Sequence, residues 1–188
     1  MISEILHTTG NYADWEVSVF EKAVKIIQIQ KGETILHEGE VARSLYYLIQ
    51  GEAYQFRSDE DALHVIDLHT QGTWFFNYSS FVSQEPSRLS IAAYSDSTVL
   101  ELSLEAVHYL IGKSNSFLQL NNVMIAPATR LNFFDAALTP LEKYNFVMGN
   151  TPDLVQAFPL KFIASYLKIA PETLSRVRLQ WAREARGS

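Results

Sequence analysis

The sequence predicts an α+β chain. It has an antiparallel sandwich or roll of short strands, then a long helix, then a small all-helical unit. Three observations carry this. Short β-branched or alternating runs, separated by turns every ~8–12 residues, fill the stretch from Val24 to Leu102. A helical apolar stripe follows from Ser114 to Ala137. Helix-start signatures then crowd the last ~50 residues.

In chain order, Asn11 to Val24 carries Trp15, Val19, Phe20 and Ala23 at helical spacing and is expected to be an amphipathic helix. Val24, Ile26 and Ile29 then lead into a Lys31-Gly32-Glu33 turn. Ile35 and Leu36 follow, then the turn at Glu38-Gly39-Glu40. Leu45 to Ile49 is aromatic and β-branched and ends at Gln50-Gly51-Glu52. Tyr54 and Phe56 alternate with polar neighbours, and Asp59-Glu60-Asp61 is a charged turn. Leu63, Val65, Ile66 and Leu68 make a further strand closed by Gly72. Ser90 to Tyr94 and Thr98 to Leu102 supply two more, and Ser103-Leu104-Glu105 opens a short helix through Ile111.

From Ser114 to Ala137, Phe117, Leu120, Met124, Leu131 and Phe134 fall on one side of a helix, with Pro127 as an expected kink or break. The stripe fits either core packing or a seam to a second subunit. Thr139-Pro140-Leu141-Glu142 combines a capping Thr, Pro at the first helical position and Glu at the third. Thr151-Pro152-Asp153 repeats the device.

Ile163 to Arg178 reads as two short helices joined by a tight turn. Ile163, Ala164 and Leu167 form one apolar face, and Leu174 and Val177 the next. Pro171 suits the first turn of the second helix. That helix leaves Glu172, Thr173, Ser175, Arg176 and Arg178 for bonds to base edges or phosphates, in a shape that fits the DNA major groove. A plain helical hairpin with a solvated charged face has the same pattern. Charge favours the first reading. Thr139 to Ser188 holds seven Lys/Arg against four Asp/Glu, whereas Met1 to Leu138 holds eight against seventeen. A basic end on an acidic body fits a phosphate-facing unit.

The absence of cysteine removes disulfides, thiolate metal sites, iron–sulfur clusters and cysteine nucleophiles together. Met1-Ile2-Ser3-Glu4 lacks a basic, then apolar, leader, and no run approaches the ~20 apolar residues of a membrane span, so a cytoplasmic protein is expected. An overall pI near 5.3 means that any contact with DNA must be local.

A β-roll, a long helix and a helix-turn-helix, in that order, resemble the Crp/Fnr family of bacterial transcription regulators over nearly the whole chain. Three blocks carry the likeness. Lys31 to Glu40 resembles the family's first roll turn, Leu45 to Ala53 its central strand pair, and Ile163 to Arg178 its DNA-reading unit. The resemblance implies a cyclic-nucleotide-binding-like roll (a double-stranded β-helix) over residues 1–112, a dimerisation helix over 113–138 and a helix-turn-helix domain over 139–188. It implies a homodimer on a pseudo-palindromic operator, with half-sites ~34–36 Å apart. RNA polymerase is a further partner it admits. Arg176 is then expected on guanine O6/N7 and Glu172 on cytosine N4, with Thr173 and Ser175 on a base or phosphate. Lys161, Lys168 and Arg178 are expected on the backbone, and Ser165 joins the DNA-binding set.

The chain departs from the family at the phosphate cassette between Gly72 and Ala93. The Gly-Glu pair of cyclic-nucleotide binders reads Phe76-Asn77, the Arg position reads Ser87, and Arg88 stands one residue late. Binding of cyclic AMP by the usual chemistry is therefore not expected. Two readings stay open. Asn77, Tyr78, Ser79, Ser80, Ser87 and Arg88 line an altered pocket for another small-molecule effector, or Trp74, Phe75, Phe76 and Phe81 fill it. The filled pocket is favoured, because strand aromatics are more often core than ligand box. Lys168 stands where the reading unit's turn usually has Gly, and a left-handed non-Gly residue costs on the order of 1 kcal/mol. The family's β-hairpin wing is not expected after Trp181. The runner-up is a ligand-sensing or protein-interaction module with a degenerate DNA domain. No enzyme is expected: a cupin would need clustered ligands, and His64 and His69, five apart, fall on opposite faces of a strand.

Overall fold

The computed structural model describes residues 1–59, 62–125 and 138–187. Two four-stranded antiparallel sheets face each other as a roll. One has the order β1-β8-β3-β6, the other β2-β7-β4-β5. The strands are β1 (Lys25–Ile29), β2 (Thr34–Leu36), β3 (Ser44–Gln50), β4 (Ala53–Ser58), β5 (Leu63–His69), β6 (Trp74–Phe75), β7 (Ser90–Ala93) and β8 (Ser97–Ser103). Leu45 and Leu48 of β3 and Val99 and Leu102 of β8 are fully buried. Since each pair is three residues apart, these central strands are covered on both faces and do not simply alternate. The turn at Gly51, with φ of 92°, needs glycine twice over. A Cβ there would also stand 2.8 Å from the Asp96 carbonyl oxygen.

Helices close the ends of the roll: α1 (Ile2–His7), α2 (Asp14–Ala23), α3 (Tyr78–Ser83) and α4 (Leu104–Lys113). Neither α1 nor α3 is predicted by periodicity, since each spans only six residues. Leu6 of α1 is fully buried, so packing holds this helix. Trp15, expected on the apolar stripe of α2, is instead 53% exposed, and Phe20 carries the burial.

The expected boundary at residue 112 falls inside one packed body. Asn115–Asn121 is a 3-10 helix, not the start of a regular α-helix. Its Phe117 and Leu120, with Val123, lie in the roll core, and the Phe117 ring stands 5.5 Å from that of Tyr12. For these residues the stripe is core. The rest of the expected dimerisation helix, residues 126–137 with Pro127, Leu131 and Phe134, lies outside the described residues.

The carboxy-terminal unit contains α5 (Pro140–Asn150), α6 (Asp153–Ala157), α7 (Leu160–Tyr166) and α8 (Pro171–Gly187). Thr139 caps α5 as its sequence predicts, with Oγ1 accepting from the Glu142 N–H and the Glu142 carboxylate accepting from the Thr139 N–H at 2.7 Å. These helices share a second apolar core with the outer face of β4 and β5. Val65 and Leu68 pack with Tyr144, Val147, Phe158, Ile163 and Leu174. The rings of Tyr54 and Tyr94 on the roll stand 5.1 and 5.2 Å from Phe162 of α7. Among the described residues no helix is long and apolar enough to cross a membrane.

Candidate functional site

Two surfaces bring together the residues singled out from the sequence. The first is α8. Leu174 (1% exposed) and Val177 (6%) anchor one face against α5 and α7, and the Trp181 ring meets Tyr144 edge-on at 6.0 Å. Helical spacing then sets Glu172, Ser175 and Arg176 on the opposite face, all exposed, with Thr173 and Arg178 on its two flanks. The Arg176 Nε donates to the Glu172 carbonyl at 3.4 Å, and no carboxylate pairs with its guanidinium among the described residues.

Leu179 shares that outward face and is 63% exposed. It was missed because a leucine is read as core by default. Its step of seven from Glu172 and three from Arg176 was the available signal. An open groove of about 400 Å³ runs beside this face, lined by Thr139, Pro140 and Leu141 of the α5 start and by Thr173, Arg176 and Gln180 of α8.

Lys161 and Lys168 are exposed on the flanks of the helix pair. Lys168 has φ of 55°, the left-handed conformation expected where glycine is absent. Ser165 does not join them. Its Oγ accepts from the Val65 N–H at 2.9 Å, on the free edge of β5, so the residue faces the roll. The reason is that α7 turns one side to α8 and the other to the sheet.

The second surface is a cleft of about 370 Å³ in front of α3, lined by Asn77, Ser79, Ser80, Ser83, Glu85, Pro86, Ser87, Arg88 and Leu89. The expectation that aromatics fill it is corrected. Phe75, Phe76 and Phe81 lie in the roll core, while Trp74 packs outside against Tyr47 and donates from Nε1 to Thr8 Oγ1. Tyr78 is also corrected: it packs beside Phe76 and does not line the cleft.

The buried polar residues of the cleft wall, Asn77, Ser80 and Ser87, are bonded internally. Asn77 Oδ1 accepts from the Ser80 N–H at 2.9 Å and so caps α3. The buried Ser80 hydroxyl accepts from the Ala42 N–H and donates to the Glu85 carbonyl. The buried Ser87 hydroxyl donates to the Leu89 carbonyl at 2.6 Å and accepts from the Leu89 N–H. The charged groups, Arg88 and Glu85, are both exposed on the rim. The cleft thus has neither a buried carboxylate for a ribose hydroxyl nor a buried guanidinium for a cyclic phosphate. Elsewhere, burial with the nearby Glu101 carboxylate pushes the Tyr46 phenol up to about 12, so it stays neutral. The described residues contain no group of three or more metal-binding side chains.

Residues 26–114 match the cyclic nucleotide-binding domain family. The chain is 30% identical over 105 residues to the cAMP-dependent protein kinase regulatory subunit of Hypocrea atroviridis. That match covers 56% of this chain and 22% of the relative, so the chain spans about a fifth of that protein's length. FixK2 from Bradyrhizobium japonicum superposes with a TM-score of 0.70 at 19% identity, over 86% of each chain. The catabolite activator protein of Thermus thermophilus gives 0.56 at 22% identity, over 96% of this chain and 87% of the other. Residues 26–114 are thus similar to that domain family, and the fold is shared with these two proteins over most of the chain's length.

Proposed function

We propose that the protein is a non-catalytic, cytoplasmic, DNA-binding transcription regulator of the Crp/Fnr type, acting as a homodimer on a pseudo-palindromic operator. One observation carries the proposal. A 17-residue helix is anchored along one face by Leu174, Val177 and Trp181 and turns Glu172, Ser175 and Arg176 outward together. A helix held in this way can enter the major groove without losing its own packing. Arg176 reads guanine through O6 and N7, and Glu172 accepts from cytosine N4. The exposed Leu179 supplies an apolar contact suited to a thymine methyl. Thr173 and Ser175 contact a base or phosphate, and Lys161, Lys168 and Arg178 hold the backbone. Ser165 is left out of the interface while α7 is docked on β5.

The cleft in front of α3 is the effector site in this proposal. Its buried wall is polar but uncharged, with Glu85 and Arg88 only on the exposed rim, which favours a small polar molecule over a cyclic nucleotide held by a buried ion pair. The fold shared with a catabolite activator protein supports the regulator reading, and the net positive carboxy-terminal unit supports contact with phosphate.

The test is selection of duplexes from a random pool by the purified protein, followed by a salt titration on the selected sequences. An enriched palindrome with a steep negative salt slope is expected. No enrichment at low salt, with or without small-molecule extracts, would overturn the proposal in favour of a sensing module whose helical unit has lost DNA binding.

A further inference from the structure

Among the described residues, the helical unit contains one buried cation that neither the proposed DNA face nor the cleft uses. Lys143, in α5, is only 8% exposed. Its Nζ donates to the carbonyl of Leu167 at 3.1 Å, and no carboxylate pairs with it among the described residues. An ammonium is costly to bury without compensation. The end of a helix supplies it, because the last carbonyls lack partners within the helix and carry partial negative charge.

Leu167 is the residue that closes α7. The turn beyond it is tightly bonded. The Lys168 N–H donates to the Ser165 carbonyl and the Ile169 N–H to the Ala164 carbonyl, both at 3.0 Å. Those bonds close the turn but leave the Leu167 carbonyl to Lys143. Since α8 begins at Pro171, four residues on from Leu167, whatever fixes that carbonyl fixes the direction in which α8 departs.

We infer that Lys143 is a positioning residue for the reading helix: its ammonium pins the end of α7 to α5 and so sets how α8 is presented to DNA. This rests on the reading of α8 as the DNA-contacting element. Being buried, the ammonium cannot itself meet a phosphate.

Two variants of the full chain test it. Lys143→Met keeps length and apolar volume without the charge, and Lys143→Arg keeps the cation. Without DNA, the amides of Lys168 and Ile169 should exchange at least about tenfold faster in Lys143→Met than in wild type. On DNA, affinity for the selected duplex should fall about tenfold. Affinity for a random duplex should stay within about twofold and the salt slope should be unchanged. An equal loss on both duplexes with a shallower slope would make Lys143 a phosphate contact. Unchanged exchange and unchanged affinity would make it mere filling. Should Lys143→Met fail to fold, Lys143→Arg decides: turn exchange more than about threefold from wild type overturns pinning by charge. A wild-type protein that selects no duplex sinks the DNA reading, while the exchange experiment still decides whether Lys143 fixes the turn.

Discussion

The cleft in front of α3 and the outward face of α8 are both polar, yet they spend their polar atoms differently. In the cleft, Asn77, Ser80 and Ser87 are nearly buried and bonded to the chain's own backbone. On α8, Glu172, Ser175 and Arg176 are exposed to solvent. Residues of the first kind hold the fold, and residues of the second kind are available to a partner. Substitutions should therefore cost stability in one place and binding in the other.

The largest effect should come from Arg176→Ala. It should remove about 1–3 kcal/mol of discrimination at one base pair of each half-site. Unfolding stability should change by less than about 0.5 kcal/mol. Binding to duplexes that differ at single positions checks this, and an equal loss on cognate and random duplexes would make Arg176 a phosphate contact.

Ser80→Ala sharpens the other side. It leaves the Ala42 N–H and the Glu85 carbonyl without their partner, at a cost of about 2 kcal/mol in urea denaturation. Duplex affinity of the folded fraction should not move. A variant with unaltered stability would show that the cleft wall is freer than its hydrogen bonds imply.

An intermediate effect depends on acid. The Glu142 carboxyl is held below the usual carboxylate range by hydrogen bonds from the Thr139 side chain and backbone. A depressed folded pKa means that its stabilisation is complete above the unfolded value and is lost as pH falls through the folded one. The start of α5, which flanks the groove beside Arg176, should loosen below about pH 4. Glu142→Gln can keep the capping bonds without titrating. Amide exchange at the α5 start should then lose its acid limb, and an identical limb in both proteins would assign the loosening elsewhere.

The smallest effect belongs to Arg88→Ala. Its side chain is exposed and lies on the rim, so stability should change by less than about 0.5 kcal/mol. A larger loss would place the guanidinium in a bond within the fold.

The strands were legible because turn residues and β-branched runs mark them directly, as at Leu45–Ile49 between its flanking turns. The start of α5 was legible for the same local reason, through Thr139 and Glu142. What sequence reading missed depends on contacts distant in the chain. The six residues of α3 are fixed by the Asn77 cap and a left-handed Gln84, whose amide also donates to the Ala42 carbonyl. Phe117 reads as a seam or a core residue until Tyr12 is placed beside it. Lys143 reads as a solvated lysine until Leu167, twenty-four residues on, ends a helix at its ammonium. The outward set on α8 follows from helical period alone, whereas the loss of Ser165 from it needs the position of β5.

The bond from the Val65 N–H to Ser165 has a consequence for the solubility of the chain. Strand β5 is the last in its sheet, and an uncovered last strand is a template on which other chains can add. Here α7 lies along it, and Phe162 shields Tyr54 and Tyr94 nearby. Any motion that lifts the helical unit away from the roll also bares a strand edge and a cluster of aromatic rings. The same helix that packs against α8 thus guards the sheet against self-association, and freedom of movement for one is bounded by protection of the other.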